Sequence, residues 1–465
     1  MSTGASVRLK VQALSLLFSV AVAACQPSAP QPSVAAAITA ASRPTGTPAG
    51  SRLRPSIPAE ALKGVGLQVW HPWYGVEASL LEAQMAEFNQ QNDWGITVRA
   101  KGHTGFSELY GSVTDALPAE EGPELVIALP EHAIGWDAGG YVIDLTDYIG
   151  DPAYGLSTEE VSDFPSVFWN QELIAGRRLG VPAQRSAHFL LYNQSWARQL
   201  GFEDAPQTER DFREQACSAH ASLARDDDPT NDGMGGWLVS TESMTFLSWM
   251  MAFGGGVLDG SGYRFLSPRN LEATAFVKQL FDDGCAWLPQ ASDDQAAPFA
   301  QRGALFATAG LAELPDYGRA MATAENADAW TVMSFPGADQ TGLAAYGSSY
   351  VVLKSTPEKQ LAAWLFIRWL LSADNQQKWV EATGLFPLRA SSLDLLGAYA
   401  KSHPQWAAAV EYVAEAQIQP QLASWRQVRV MLGDGFDAMF RANTPAGRVA
   451  EILAIMDRTA GDLAE

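Results

Sequence analysis

The chain has 465 residues with 31 Lys and Arg against 52 Asp and Glu, a formal net charge of −21. Phosphate binding needs clustered Lys and Arg, so this balance excludes a nucleic-acid partner and a basic patch on anionic lipid. Hydrophobic residues at 47% and charged residues at 18% exclude wholesale disorder, and the length predicts at least two domains. Fifteen Trp supply more aromatic surface than usual, the kind on which carbohydrate rings stack, although large buried cores also consume tryptophan.

The chain opens with Arg8 and Lys10, then the apolar run "VQALSLLFSVAVAA", then Cys25 and at once "QPSAPQPS". A basic start, a short apolar core and small residues at the cut are the anatomy of a secretory signal. Such a run reaches only about 21 Å as a helix, short of a hydrocarbon core of about 30 Å. "VAAC" resembles the lipobox of bacterial lipoproteins, which makes 1–24 a signal peptide and Cys25 the acylated first residue. The alternatives are a plain signal with an incidental cysteine, or an uncleaved anchor. Loss of the segment takes the charge from −21 to −23, because Arg8 and Lys10 leave with it. Residues 26–58 are dense in Pro, Ser, Ala and Gly with no aromatic residue, so 25–60 reads as lipid anchor and flexible tether.

The folded part begins at "GVGLQVW", a short strand ending at Trp70. "GVEASLLEAQMAEFNQQN" sets Val76, Leu80, Met85 and Phe88 at helical spacing. A second strand "GITVRAKG", a second helix "FSELYGSVTDAL" and a near-continuous apolar strand "PELVIALP" complete a doubly wound α/β lobe. The pattern returns with "HFLLYN", the amphipathic helix "TERDFREQACSAHASLA", and the strands "GALFATAG", "WTVMSFPG" and "YVVLKST". "PEKQLAAWLFIRWLLSADNQQKWVEATG" is a strong helical stretch opened by Pro357, and two more helices close the chain around "TP". In an oxidising compartment Cys217 and Cys285 are left to pair as a disulfide, the alternative being two buried thiols.

Catalytic motifs are missing. The chain has no G-x-x-x-x-G-K-[ST], no G-x-G-x-x-G after a strand, no H-E-x-x-H and no G-x-S-x-G. Its six His show no metal-ligand spacing, so neither a metal nor a cofactor is expected. "DDDPTNDGMGGW" brings Asp226, Asp228 and Asp232 before Gly233, but no register pairs a sixth-position Gly with a twelfth-position Glu. An acidic turn that caps its own backbone is the better reading, with calcium the alternative.

Several stretches together resemble the bacterial extracellular solute-binding proteins of family 1, the maltose-binding-protein group. They are "GVPAQRSAHFLLYNQSWARQLGF", "FIRWLLSADNQQKWVEATGLFPLR" with its Gly384–Pro387 turn, "QPQLASWRQVRVML", and the "GGW" after the acidic turn. The resemblance implies two doubly wound α/β lobes joined by a hinge of crossing strands, a type II periplasmic-binding-protein-like fold with the ligand in the cleft between them. It implies lobe 1 as 61–184 plus 350–390 and lobe 2 as 188–345 plus 391–465. It also implies a monomer, without bond chemistry, that captures a sugar and hands it to an ABC-type permease from the outer face of the cytoplasmic membrane. By resemblance Trp425 is the first candidate for ligand stacking, its ring expected to project into the interlobe space. Strand ends and crossing segments add His71, Trp73, Tyr74, Glu131, His132, Gln184, Arg185, Ser348, Ser349 and Tyr350. Another small solute, such as a glycerol phosphate, an amino acid or a peptide, is the alternative ligand, and Arg185 keeps the phosphate option open. The many carboxylates keep a secreted glycoside hydrolase open.

Overall fold

The computed structural model describes residues 57–289, 295–441 and 444–464. The signal, Cys25 and tether readings fall outside the described residues, apart from 57–60.

Two sheets carry the chain. The first has the order Thr97–Gly102, Gly66–His71, Leu125–Ala128, Ser349–Val352, Val181–Pro182. Its first three members are parallel, and the returning strand Ser349–Val352 runs antiparallel to both its neighbours. Leu125–Ala128 is buried along its whole length, as a Val- and Ile-rich strand covered on both faces must be. The second sheet repeats the scheme: Ala286–Trp287, Gly235–Leu238 and Ala304–Gly310 are parallel, then Ser186–Asn193 runs against them and pairs with Trp330–Met333. Each sheet with its helices forms one lobe.

The helix Gly75–Gln91 buries Leu81, Gln84, Met85 and Phe88, while Val76 is 50% exposed. The expected stripe therefore started on the wrong face. At 3.6 residues per turn Val76 sits about 140° around the axis from Leu81, away from the sheet. The single helical stretch expected from 357 is two helices, Pro357–Leu370 and Ala373–Thr383. The Ser372 side chain accepts from the Asn375 N–H and starts a new first turn, which breaks the run. In the first of these helices Ala362, Trp364, Phe366 and Ile367 are all buried, so it is a core helix on nearly every side.

Cys217, on the helix Glu209–Leu223, is joined to Cys285, which precedes the edge strand Ala286–Trp287, by a disulfide. In the acidic turn the Asp226 carboxylate accepts from the Asp228 N–H at 2.7 Å, and Asp228 accepts from the Thr230 N–H and hydroxyl at 3.0 and 2.6 Å. The carboxylates cap their own backbone. Among the described residues no group of three or more His, Cys, Asp or Glu could hold a metal ion.

The chain passes from the first sheet to the second through 183–185 and returns through 347–348. The Ala183 and Gln184 N–H groups both donate to the Ser348 carbonyl, at 2.9 and 3.1 Å, which ties the two passages together. Gly347 has φ +153, and a Cβ there would lie 2.0 Å from the Gln184 carbonyl oxygen, so only glycine allows this approach.

Candidate functional site

A cavity of about 960 Å³ opens between the lobes. Its walls follow from the topology, because a doubly wound sheet presents its site at the carboxyl ends of its strands. From the first lobe come Glu77, Phe106 and Leu129, each one to six residues beyond a parallel strand. From the second lobe come Ser240 and Glu242, beyond Gly235–Leu238, and Gly310 and Glu313, at and beyond the end of Ala304–Gly310. Gln184, Gly347 and Ser348 supply the floor, where the passages meet. Ser186 and His188 also reach it, two residues apart on one face of the strand Ser186–Asn193.

The Gln184 Oε1 accepts from the Trp73 Nε1–H at 3.1 Å and from the Ser348 hydroxyl at 3.3 Å, and its buried Nε2 has no hydrogen-bond partner. The ring of His188 lies edge-on to Tyr346 at 5.3 Å and pairs through Nδ1 with the Thr245 hydroxyl at 2.9 Å. Burial pushes the His188 imidazole down to about 4, so it is neutral at pH 7. Burial likewise raises the Tyr346 phenol above its ordinary range, so it keeps its proton. Glu313 accepts from the Gly310 N–H at 2.6 Å.

Glu131 is 3% exposed and faces Arg429, a residue of the opposite lobe, at 3.5 Å. Burial raises its carboxyl, and the charges of Arg429 and Arg426 with its own backbone N–H pull it partly back. Arg426 stacks over the Tyr110 ring at 4.5 Å, a second contact from the same helix to the first lobe. His132, 1% exposed between Tyr110 and Trp136, falls to about 3 through burial, aided by Arg429 and Arg426.

Of the residues expected at the site, the structure brings Gln184 and Ser348 to the cavity wall. Trp73 stands one hydrogen bond behind Gln184 with its ring on Trp379 at 4.7 Å. Tyr74 is 79% exposed, and His71 and Tyr350 are buried in the first lobe. The placement of Trp425 is corrected. Its indole is fully buried in the second-lobe core with Val428, Leu432 and Phe436, and its Nε1–H donates to the Gln419 Oε1 at 2.9 Å. The stripe that opens the helix Trp425–Met439 begins at this ring, so packing draws it inward. Arg185 is also spent elsewhere. Its guanidinium donates to the carbonyls of Gln184, Ser348 and Phe168 and pairs with Glu172, which also accepts from Ser349 Oγ at 2.6 Å. Arg185, Glu172 and Ser349 therefore clamp the hinge, all at 2% exposure or less. Composition and pattern had not singled out Glu77, Phe106, His188, Glu242, Glu313, Tyr346 or Arg429. Yet polar Ser186 and His188 alternating in an apolar strand, and acids just past two strand ends, were visible signals.

A family model described as bacterial extracellular solute-binding protein matches residues 83–414. The chain belongs to that family. A search of curated proteins finds no match to this solute-binding protein. Among solved structures it is similar to the sugar-binding protein MalE from the phytopathogen Xanthomonas citri, with TM-score 0.71 and 20% identity over 86% of this chain and 98% of that one. A cyclic alpha-maltosyl-1,6-maltose binding protein from Arthrobacter globiformis follows at TM-score 0.70 and 17% identity, covering 85% and 98%. UgpB from Mycobacterium tuberculosis, in complex with glycerophosphocholine, gives 0.67 and 17%, covering 86% and 98%. At these identities the likeness is one of fold, and it is that of the type II, two-lobed binding proteins. The solute-binding family is periplasmic or extracellular, and among the described residues no helix is long and apolar enough to cross a membrane.

Proposed function

We propose that this solute-binding protein captures a sugar or oligosaccharide between its lobes and delivers it to an ABC-type permease. The observation that carries this reading is the interlobe cavity, walled by the hydroxyls of Ser186, Ser240, Thr308, Tyr346 and Ser348 beside Phe106. Sugars offer hydroxyl rims and C–H faces, and that wall offers short neutral donors and acceptors with aromatic surface. Neighbours of the same fold support it, one described as a cyclic alpha-maltosyl-1,6-maltose binding protein and one as a sugar-binding protein. The glycerol phosphate alternative leaned on Arg185, whose guanidinium is taken by the hinge. Thermal-shift screening of neutral mono- and oligosaccharides tests the proposal, because a tight ligand raises stability by mass action. A panel in which no sugar shifts the unfolding temperature refutes it. The protein carries out no bond chemistry in this reading, and steady turnover of an oligosaccharide would count against it.

The leader belongs to the same proposal. Residues 1–24 are removed, Cys25 is acylated, and 25–60 holds a monomeric two-lobed body off the outer face of the cytoplasmic membrane. The lobes are then 61–184 with 350–390, and 188–345 with 391–465. Cys25→Ala should release the protein from the membrane fraction, and an unchanged fractionation places the anchor elsewhere. One acyl chain binds only marginally, so a stable anchor carries more than one.

A further inference from the structure

The cavity is polar, but its charges are not balanced. Among the described residues two guanidiniums line it, those of Arg319 and Arg429. Arg319 is bonded to Asp316, one turn earlier on its own helix. Arg429 reaches across the cleft to Glu131 at 3.5 Å. Glu131 lies 3% exposed, and its Oε1 accepts no hydrogen bond, so the arginine is its main compensation. Around the same space stand the carboxylates of Glu77, Glu242 and Glu313, none of them in an ion pair among the described residues. Walls of low dielectric concentrate their field in the cavity.

We infer that Glu131 sets the charge of the ligand: by holding Arg429 across the cleft it withdraws the cation an anionic solute would need, so the cavity admits uncharged solutes and refuses anionic ones. This rests on the reading of the cavity as the ligand site. An entering phosphate or carboxylate meets the three unpaired carboxylates and two arginines that are both engaged, Arg319 by Asp316 and Arg429 by Glu131. To take Arg429 it must leave a buried carboxylate without its partner, a penalty of about a hundredfold in affinity or more. A neutral sugar meets Ser186, Ser240, Thr308 and Ser348 and leaves the pair intact. Glu131 is then a specificity-determining residue that need not touch the ligand.

The test uses calorimetry with glucose 1-phosphate as the anionic probe and maltotriose as the neutral one. Glu131→Gln keeps the side-chain shape and frees the guanidinium. Its affinity for glucose 1-phosphate should rise about tenfold or more over the wild type, and the gain should shrink as salt is added. Glu131→Gln/Arg429→Gln should lose that gain. Glucose 1-phosphate binding that is unchanged by Glu131→Gln overturns the inference, as does a wild type that binds maltotriose measurably and glucose 1-phosphate more tightly still. Maltotriose reports on the sugar reading separately, since its failure to bind the wild type leaves the response to phosphate still measurable. Should Glu131→Gln not fold, Arg429→Met decides. The wild-type arginine is engaged, so its removal should leave phosphate binding as weak as before, and a clear further loss overturns the inference.

Discussion

Replacing Trp425 by alanine separates a packing role from a ligand-stacking one. The indole is 0% exposed, stacks near Tyr263 with ring centroids 6.5 Å apart, and heads the buried stripe of the helix Trp425–Met439. Truncating a fully buried tryptophan costs about 3–5 kcal/mol. The Gln419 Oε1 would also lose its 2.9 Å donor inside the protein, adding about 1–3 kcal/mol. The sum, about 4–8 kcal/mol, is a large part of the roughly 5–15 kcal/mol that holds a typical protein folded. Trp425→Phe keeps most of the ring and drops the N–H, and should cost about 1–2 kcal/mol. Urea unfolding of the apo protein reads the stability, and calorimetry with a sugar found by screening reads the affinity. Trp425→Phe, still folded, should bind that sugar within about threefold of the wild type. A tenfold or greater loss of affinity with stability within about 1 kcal/mol of the wild type would refute the packing assignment.

The hinge clamp makes a sharper demand. Arg185→Met strands the Glu172 carboxylate, 1% exposed, and should cost about 3–5 kcal/mol in urea unfolding, while Arg185→Met/Glu172→Gln should recover most of it. Cys217→Ser/Cys285→Ser opens a loop whose ends are 68 residues apart and should lower stability by about 4 kcal/mol, with reductant giving the same loss in the wild type. His132 is depressed to about 3 and His188 to about 4, so their contribution is complete above pH 6.5 and is lost as pH falls from there towards those values. His132 alone should remove about 2 kcal/mol by pH 5, and His132→Gln should make the stability profile between pH 6.5 and 5 about half as steep, leaving the share of His188. A profile as steep in that variant as in the wild type would place the titrating group elsewhere.

The alternation of strand and helix was legible because it is local: a Val- and Ile-rich run such as "ELVIA" can only be a covered strand, and the amphipathic stripes follow it. The cysteine pair was legible from count and compartment. The break at Ser372 was also local, a cap inside an apolar run, and was read through. What stayed hidden was partnership over distance. Arg185 looks like a ligand arginine until Glu172, 13 positions earlier, is seen beside it, and nothing in the intervening stretch announces the pair. Trp425 looks like a rim aromatic until the second-lobe core is assembled around it. The rule that sites lie at strand ends pointed to His71, Glu131 and His132 in the first lobe. Applied equally after "GGWL" and "ALFATAG", it reaches Glu242 and Glu313, two of the carboxylates that do line the cavity.

The order of the chain through the two sheets has a consequence for how the molecule is made. The whole second sheet is threaded between Val181–Pro182 and Ser349–Val352, neighbours in the first. A ribosome therefore completes every strand of the second sheet while Leu125–Ala128 still presents an open edge awaiting Ser349–Val352. The helices Trp425–Met439 and Val449–Ala464, which close the second-lobe core, are made last of all. Neither lobe therefore has its full set of elements until late in synthesis. For the same reason no single proteolytic cut within 57–464 can leave both lobes whole, one to each fragment. On the proposed boundaries, isolating the first lobe would require splicing 61–184 directly to 350–390.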